Sequence, residues 1–238
     1  VLAQILTLPD ISAPGLDLGR NLRLTAEMSG DFNAAQIHVG LNRIMPEIWR
    51  RLIVPSDWNL DQLHLVIQAA FGWWHYHLHE FRIGGLRYGD VEALTEDASD
   101  DDPRVFESRD VRLCDFEWNT AFTYVYDFGD CWRHSVMIEE FLALDVAPLR
   151  ASCIGGARAR PPEDVGGVSG YDAFLEIIAD EDHPEYAETL EWCGGYFDPD
   201  WFDLAQVNRD VSAALNPKAR RRLFQPKPKR SKRGRSGV

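Results

Sequence analysis

"FTYVYDFGDCWRHSVMIEEF" (122–141) alternates apolar and polar residues on both sides of a glycine. Phe122, Tyr124, Tyr126 and Phe128 fall on one face, and Trp132, His134, Val136 and Ile138 resume it beyond Gly129. Period two interrupted by a short polar tip predicts a β-hairpin. Its strands are expected near 122–128 and 132–140, with Tyr124, Tyr126, Trp132 and Val136 buried. The opposite face carries Thr123, Val125, Asp127, Arg133, Ser135 and Glu139. His134 therefore belongs to the aromatic face, Asp127 to the other, and Asp130 to the turn. The acids either bond turn amides or contribute to a polar site that other segments complete.

Working outward, "QIHVGLNRI" (36–44) and "IWRRLIVP" (48–55) read as an earlier strand pair joined through Pro46. Asn59 opens "NLDQLHLVIQAAFG", in which Leu60, Leu63, Ile67, Ala70 and Phe71 recur at helical spacing. Asn59 with Gln62 has the form of a capping box, and Gly72 suits the C-terminal cap. "HYHLHEFRI" (75–83) returns to strand period, placing His75, His77 and His79 on one face with neighbours roughly 6–7 Å apart. Such spacing can offer ligands to a metal, although Phe81 and Ile83 continue the same face as core.

Residues 90–102 hold seven acids and read as a solvated loop. "CIGGARARPPEDVGGVSGY" (153–171) packs five glycines and two prolines into a long kinked loop. Pro161 and Pro162 fix the backbone just before Glu163 and Asp164, so these acids are either presented on a stiff support or cap the loop itself. "YDAFLEIIAD", "PEYAETLEWC" and "PDWFDLAQVNRDVSAAL" predict three C-terminal helices, with Pro184 and Pro199 in first turns. The element order indicates an α+β fold: an antiparallel or mixed sheet, a capping-box helix after the first hairpin, and a C-terminal cluster of helices. A single domain over 35–215 is expected, after an N-terminal extension (1–34) and before a basic tail (216–238).

Charge divides the same way. Lys218, Arg220, Arg221, Arg222, Lys227, Lys229, Arg230, Lys232, Arg233 and Arg235 give the tail +10 with no acid. The other 15 basic and all 38 acidic residues leave the body at −23. Such a tail contacts polyanions through phosphate neutralisation, or else serves as a solvated arm balancing the body. Cys114, Cys131, Cys153 and Cys193 show no C-x-x-C spacing, which argues against a zinc ribbon. Val1 opens no signal-peptide pattern and no run reaches a membrane span, so the cytoplasm is the expected compartment. No nucleophile elbow, Walker loop, dinucleotide fingerprint or HExxH is present.

The segments "MPEIWRRLIVP", "LHLVIQAAFGW" with "HLHEF", "YVYDFGDCWRH", "CIGGARARPPEDVGGVSGY" and "HPEY…EW…FDPDWFD" resemble, in that order, the plasmid pRiA4b ORF-3-like family. The resemblance implies a compact α+β domain of plasmid or mobile-element type. Some family members carry a transposon-resolvase label or are fused to DNA-binding domains. The N-terminal nucleophilic serine with attendant arginines that a serine resolvase needs is not found here. Members often place a cysteine where this chain has Arg160; any thiolate pair with Cys153 that the resemblance implies is therefore broken.

The expected function is a non-enzymatic binding or accessory module with DNA contact through the tail. The alternative is a metal-assisted hydrolase or nuclease in which Asp127, Asp130, His134, Glu163 and Asp164 gather around a divalent metal. A protein–protein adaptor would instead use Trp73, Trp74, Trp192 and Trp201. Contact between the Asp130 turn and the Glu163 loop separates these alternatives.

Overall fold

A computed structural model describes residues 32–96, 103–219 and 225–227. The N-terminal extension to residue 31, residues 97–102 of the acidic stretch and most of the basic tail lie outside them.

The eight strands are β1 (Ala34–Leu41), β2 (Ile48–Pro55), β3 (His79–Ile83), β4 (Leu86–Gly89), β5 (Val105–Glu107), β6 (Ala121–Tyr126), β7 (Trp132–Leu142) and β8 (Ser152–Ala157). They form one mixed sheet in the order β5-β4-β3-β6-β7-β1-β2-β8, so the class is α+β. Among the described residues only β4 and β5 pair in parallel. The β6–β7 hairpin closes on Tyr126 opposite Trp132. Its inward row of Phe122, Tyr124, Tyr126, Trp132, His134, Val136 and Ile138 is buried, while Phe128 at the tip is exposed. A pleated strand sends alternate side chains to opposite faces, and the face that the alternation marks is the buried one.

Helix α1 (Leu60–Phe71) lies on that face. Asn59 accepts a bond from the Gln62 amide and Gln62 reciprocates, while Gly72 ends the helix in the left-handed conformation at φ 81°. Phe71 meets His134 edge-on, and His64 bonds the Tyr124 hydroxyl at 2.7 Å. Trp73, just past the cap, packs against Trp132 and Tyr126 with centroids 5.7 and 5.4 Å away. Arg50 occupies an inward position of β2. Its guanidinium donates to four carbonyls, those of Trp49, Ala70, Ala157 and Arg158, and lies between the rings of Phe71 and Phe202. A buried charge is tolerable only when so satisfied; burial lowers its pKa to about 10. Buried Glu80 on β3 is held likewise by Arg82 and Arg87.

The helices α3 (Gly167–Ala179), α4 (Tyr186–Trp192) and α5 (Leu204–Ser212) complete the C-terminal cluster. Tyr171, Phe174, Trp192 and Phe197 form its aromatic packing.

Several boundaries differ from expectation for local physical reasons. Strand β3 begins only at His79, because His75 adopts a left-handed φ of 58° and breaks the extended run. The three histidines accordingly do not share a face. The acidic stretch opens not as a loop but as a short helix, α2 (Val91–Thr95), capped by Asp90 and anchored by buried Leu94. The glycine-rich segment is shorter than read: 153–157 extends β8, and α3 starts at Gly167. Pro184 precedes α4, and Pro199 sits in the turn before α5, whose cap is Asp203.

Candidate functional site

Three segments converge beside the hairpin tip. The first is the tip itself, residues 127–131. Asp127 takes φ 57°, a conformation Asp tolerates better than most residues. Its Oδ1 accepts from the amides of Gly129 and Asp130, and it is 5% exposed. The second is the irregular link 72–78 between α1 and β3, which carries His77. The third is the loop after β8. There Pro161 and Pro162 lead into Glu163, and Asp164 again adopts a left-handed φ, 58°. Non-glycine residues in this region concentrate where a site needs them.

His77 Nε2 lies 3.3 Å from Asp164 Oδ1, 3.6 Å from Asp127 Oδ2 and 3.9 Å from Glu163 Oε2. The donor atoms of His77, Asp127 and Asp164 all fall within 4.8 Å of one another, close enough to hold one cation. The His77 Nε2 atom is buried and makes no hydrogen bond among the described residues, and the Asp127 side chain beside it is 8% exposed.

Glu163 lies behind the three donors. Its Oε1 accepts the Trp74 amide at 2.7 Å, and the Tyr126 hydroxyl lies 3.3 and 3.4 Å from its two oxygens. Burial pushes its pKa above the usual carboxylate range, opposed by the Trp74 amide, Arg160 and His77. Burial, with the Glu163 charge second, also raises the Tyr126 phenol. The Arg160 guanidinium lies over the rings of Trp73 at 4.9 Å and Trp74 at 5.7 Å. It donates to the carbonyls of Gly72 and Pro161, so it ties the loop to the end of α1. Burial lowers its pKa to about 10.

The turn and the loop do touch. Asp130 Oδ2 accepts the Gly166 amide at 3.3 Å, and a Cβ on Gly167 would stand 2.6 Å from the Asp130 carbonyl. Of the residues singled out from sequence, Asp127, Glu163, Asp164 and His77 come together, and Asp130 fastens the loop beside them. His134 does not join; it is fully buried between Phe71, Trp73 and Tyr124. His75 and His79 turn instead toward His64. His75 Nδ1 lies 2.6 Å from His64 Nε2, and the His79 ring stacks on His64 at 3.4 Å. Of the tail cations, Lys218 and Lys227 are described; Arg220, Arg221, Arg222, Lys229, Arg230, Lys232, Arg233 and Arg235 lie outside the described residues.

Sequence reasoning missed Tyr126 and Arg160 as parts of this site, and grouped His77 with the wrong partners. The unusual Pro-Pro-Glu-Asp run was the usable signal for the loop. Nothing local announces that residue 77 leaves the strand.

A cavity of about 310 Å³ adjoins the cluster. Glu163 and Asp164 line one end, and Trp74, Trp192, Tyr196 and Trp201 wall the rest. No helix among the described residues is long and apolar enough to cross a membrane.

An uncharacterized protein, y4hQ of Sinorhizobium fredii, is 38% identical over 199 residues, 80% of this chain and 98% of that protein. The crystal structure of a protein of unknown function, MM3350 from Methanosarcina mazei Go1, matches with a TM-score of 0.64 at 35% identity. That match covers 75% of this chain and 97% of the other. The family model for plasmid pRiA4b ORF-3-like proteins spans residues 33–206, which includes every residue of the cluster and stops short of the basic tail. This chain belongs to the plasmid pRiA4b ORF-3-like family.

Proposed function

We propose that the chain is a binding or accessory module built around a divalent-cation site, with His77, Asp127 and Asp164 as ligands. The observation that carries this is the buried His77 Nε2, which has no hydrogen-bond partner among the described residues and faces the carboxylates of Asp127 and Asp164. One imidazole and two carboxylates suit Mn²⁺ or Zn²⁺ better than a soft thiophilic ion. Two carboxylates also neutralise the ion's double charge, which favours retention in a partly buried place. Asp127→Asn is a clean probe, because asparagine accepts the turn amides and tolerates the same backbone. Wild type should take up one Mn²⁺, followed by the loss of its free-ion electron paramagnetic resonance signal. Asp127→Asn and His77→Ala should each weaken uptake at least tenfold. Wild-type protein leaving the Mn²⁺ signal untouched rejects the site.

A second reading, metal-assisted hydrolysis, is favoured by Glu163. A buried carboxyl of raised pKa beside a cation is placed to take a proton from bound water. Turnover of a generic phosphodiester or ester by wild type with Mn²⁺, lost in Glu163→Gln while Mn²⁺ still binds, separates this reading from binding alone. The split of charge between body and tail supports non-specific nucleic-acid contact as an additional property of the full chain.

A further inference from the structure

The aromatic cavity and the cation cluster share a wall, since Glu163 and Asp164 belong to both. At 310 Å³ the space lies at the lower end of ligand pockets, which run from about 300 to 1,000 Å³, and suits one or two fused rings. Flat walls of Trp74, Trp192, Tyr196 and Trp201 favour a planar ring by stacking and edge contacts. One polar group in the wall is not spent on the fold. Arg160 uses Nε and Nη1 on the carbonyls of Gly72 and Pro161, while Nη2 makes no hydrogen bond among the described residues. A guanidinium seated over tryptophan rings with N–H groups to spare is a receptor for a carboxylate or phosphate oxygen.

We infer that the cavity binds a planar aromatic molecule bearing an oxyanion, the ring among the tryptophans and the oxyanion between Arg160 and the bound cation. This inference rests on the cation site proposed above. It also sets a linkage. Glu163, Asp164 and Asp210 line the cavity and repel an anion until a cation neutralises the shared end. Ligand and metal therefore raise each other's affinity by the same factor.

The test uses the full chain, with binding read from tryptophan fluorescence. Adenosine monophosphate and 2-naphthoate represent the phosphate and carboxylate sources; adenosine and naphthalene lack the oxyanion. With Mn²⁺ present, at least one oxyanion ligand should bind at least tenfold more tightly than its neutral counterpart. Its affinity should fall at least tenfold in EDTA and in Arg160→Met. Trp201→Leu, which leaves Arg160 in place, should weaken the ligand while Mn²⁺ still binds, and this keeps the inference testable if Arg160→Met does not fold. Binding of Mn²⁺ with no binding of either oxyanion ligand overturns the inference and leaves the cation site standing. Equal ligand affinity in Mn²⁺ and in EDTA, with Mn²⁺ bound, overturns the linkage between the two sites. Failure of Mn²⁺ itself to bind removes the cation site, and the inference falls with it.

Discussion

His134 is an imidazole sealed inside an aromatic core, fully buried. Neither ring nitrogen finds a partner in hydrogen-bonding geometry among the described residues, although the backbone of Tyr124 and Trp132 beside it favours the charged form. Burial dominates and lowers its pKa to about 3; His79, buried against His64 and close to His75, falls to about 4. Both folded values lie below the ordinary 6.5, so the unfolded chain binds these protons first. Stability from the two residues is therefore fully present above about pH 6.5 and is lost as pH falls toward 4 and then 3. His134→Phe keeps a ring in the core and removes one of these protons. Whatever the repacking costs at neutral pH, the slope of unfolding free energy between pH 6 and 4 should fall by up to about 1.4 kcal/mol per pH unit. Urea titrations at several pH values measure it, and an unchanged slope would show that His134 is protonated equally in both states. This residue was legible as a member of the aromatic face, because alternation fixes which way a strand side chain points. Its separation from the acids follows from the same alternation.

At the scale of elements, the loop that carries Glu163 and Asp164 is seated on the hairpin tip through two adjacent glycines that play different parts. Gly166 has φ 92°, and a Cβ there would make only an ordinary contact with the Gly170 Cα at 3.6 Å, so its substitution meets mainly backbone strain. Gly167 has φ 68° and also faces the Asp130 carbonyl, where a Cβ would stand at 2.6 Å. Gly166→Ala should cost roughly 1 kcal/mol. Gly167→Ala should cost more and should also weaken Mn²⁺ uptake, because relief of the contact moves the loop bearing Asp164 off the turn. Parallel denaturation and Mn²⁺ titrations of the two variants check this, and equal effects would mean the contact does not hold the loop. Helix α1 offers a simpler case: Asn59→Ala removes the capping bond and should cost about 1 kcal/mol in the same measurement. That cap was readable because it is purely local, a side chain bonding an amide three residues on. The position of His77 was not, since a left-handed residue at 75 and the approach of two distant loops decide it. Periodicity extended β3 too far for that reason.

For the whole molecule, the tail joins the body at a definite place. The Gln225 side chain accepts the Asp198 amide at 2.8 Å and donates to the Asp198 carbonyl at 2.9 Å, as a neighbouring strand would. Removal of the entire tail would therefore disturb the cavity that Gln225 also lines, whereas a chain ending at Lys227 keeps this clamp. Such a truncation removes Lys229, Arg230, Lys232, Arg233 and Arg235, half of the ten tail cations. If about five phosphates are engaged by the full chain, binding to random duplex DNA should fall with a log–log salt slope near −4 to −5. The truncated chain should show about half that slope, with thermal stability unchanged. Salt titrations of both proteins decide it, and identical slopes would take the distal tail out of DNA contact.

The strand order places β1 between β7 and β2, with Ile37 paired to Ile138. On a ribosome, β1 emerges with one of its two partners close behind and the other about a hundred residues away. At roughly 5–20 residues per second, that leaves its open edge waiting about 5–20 s for β7. Through this interval the growing chain exposes a row of unpaired amides and carbonyls, the usual template for joining a second copy. Gln36 and His38, which alternate with Ile37 and Val39 along that edge, keep one of its two faces polar in the meantime. Slow translation between residues 60 and 130 would lengthen the wait and favour aggregation of the unfinished chain.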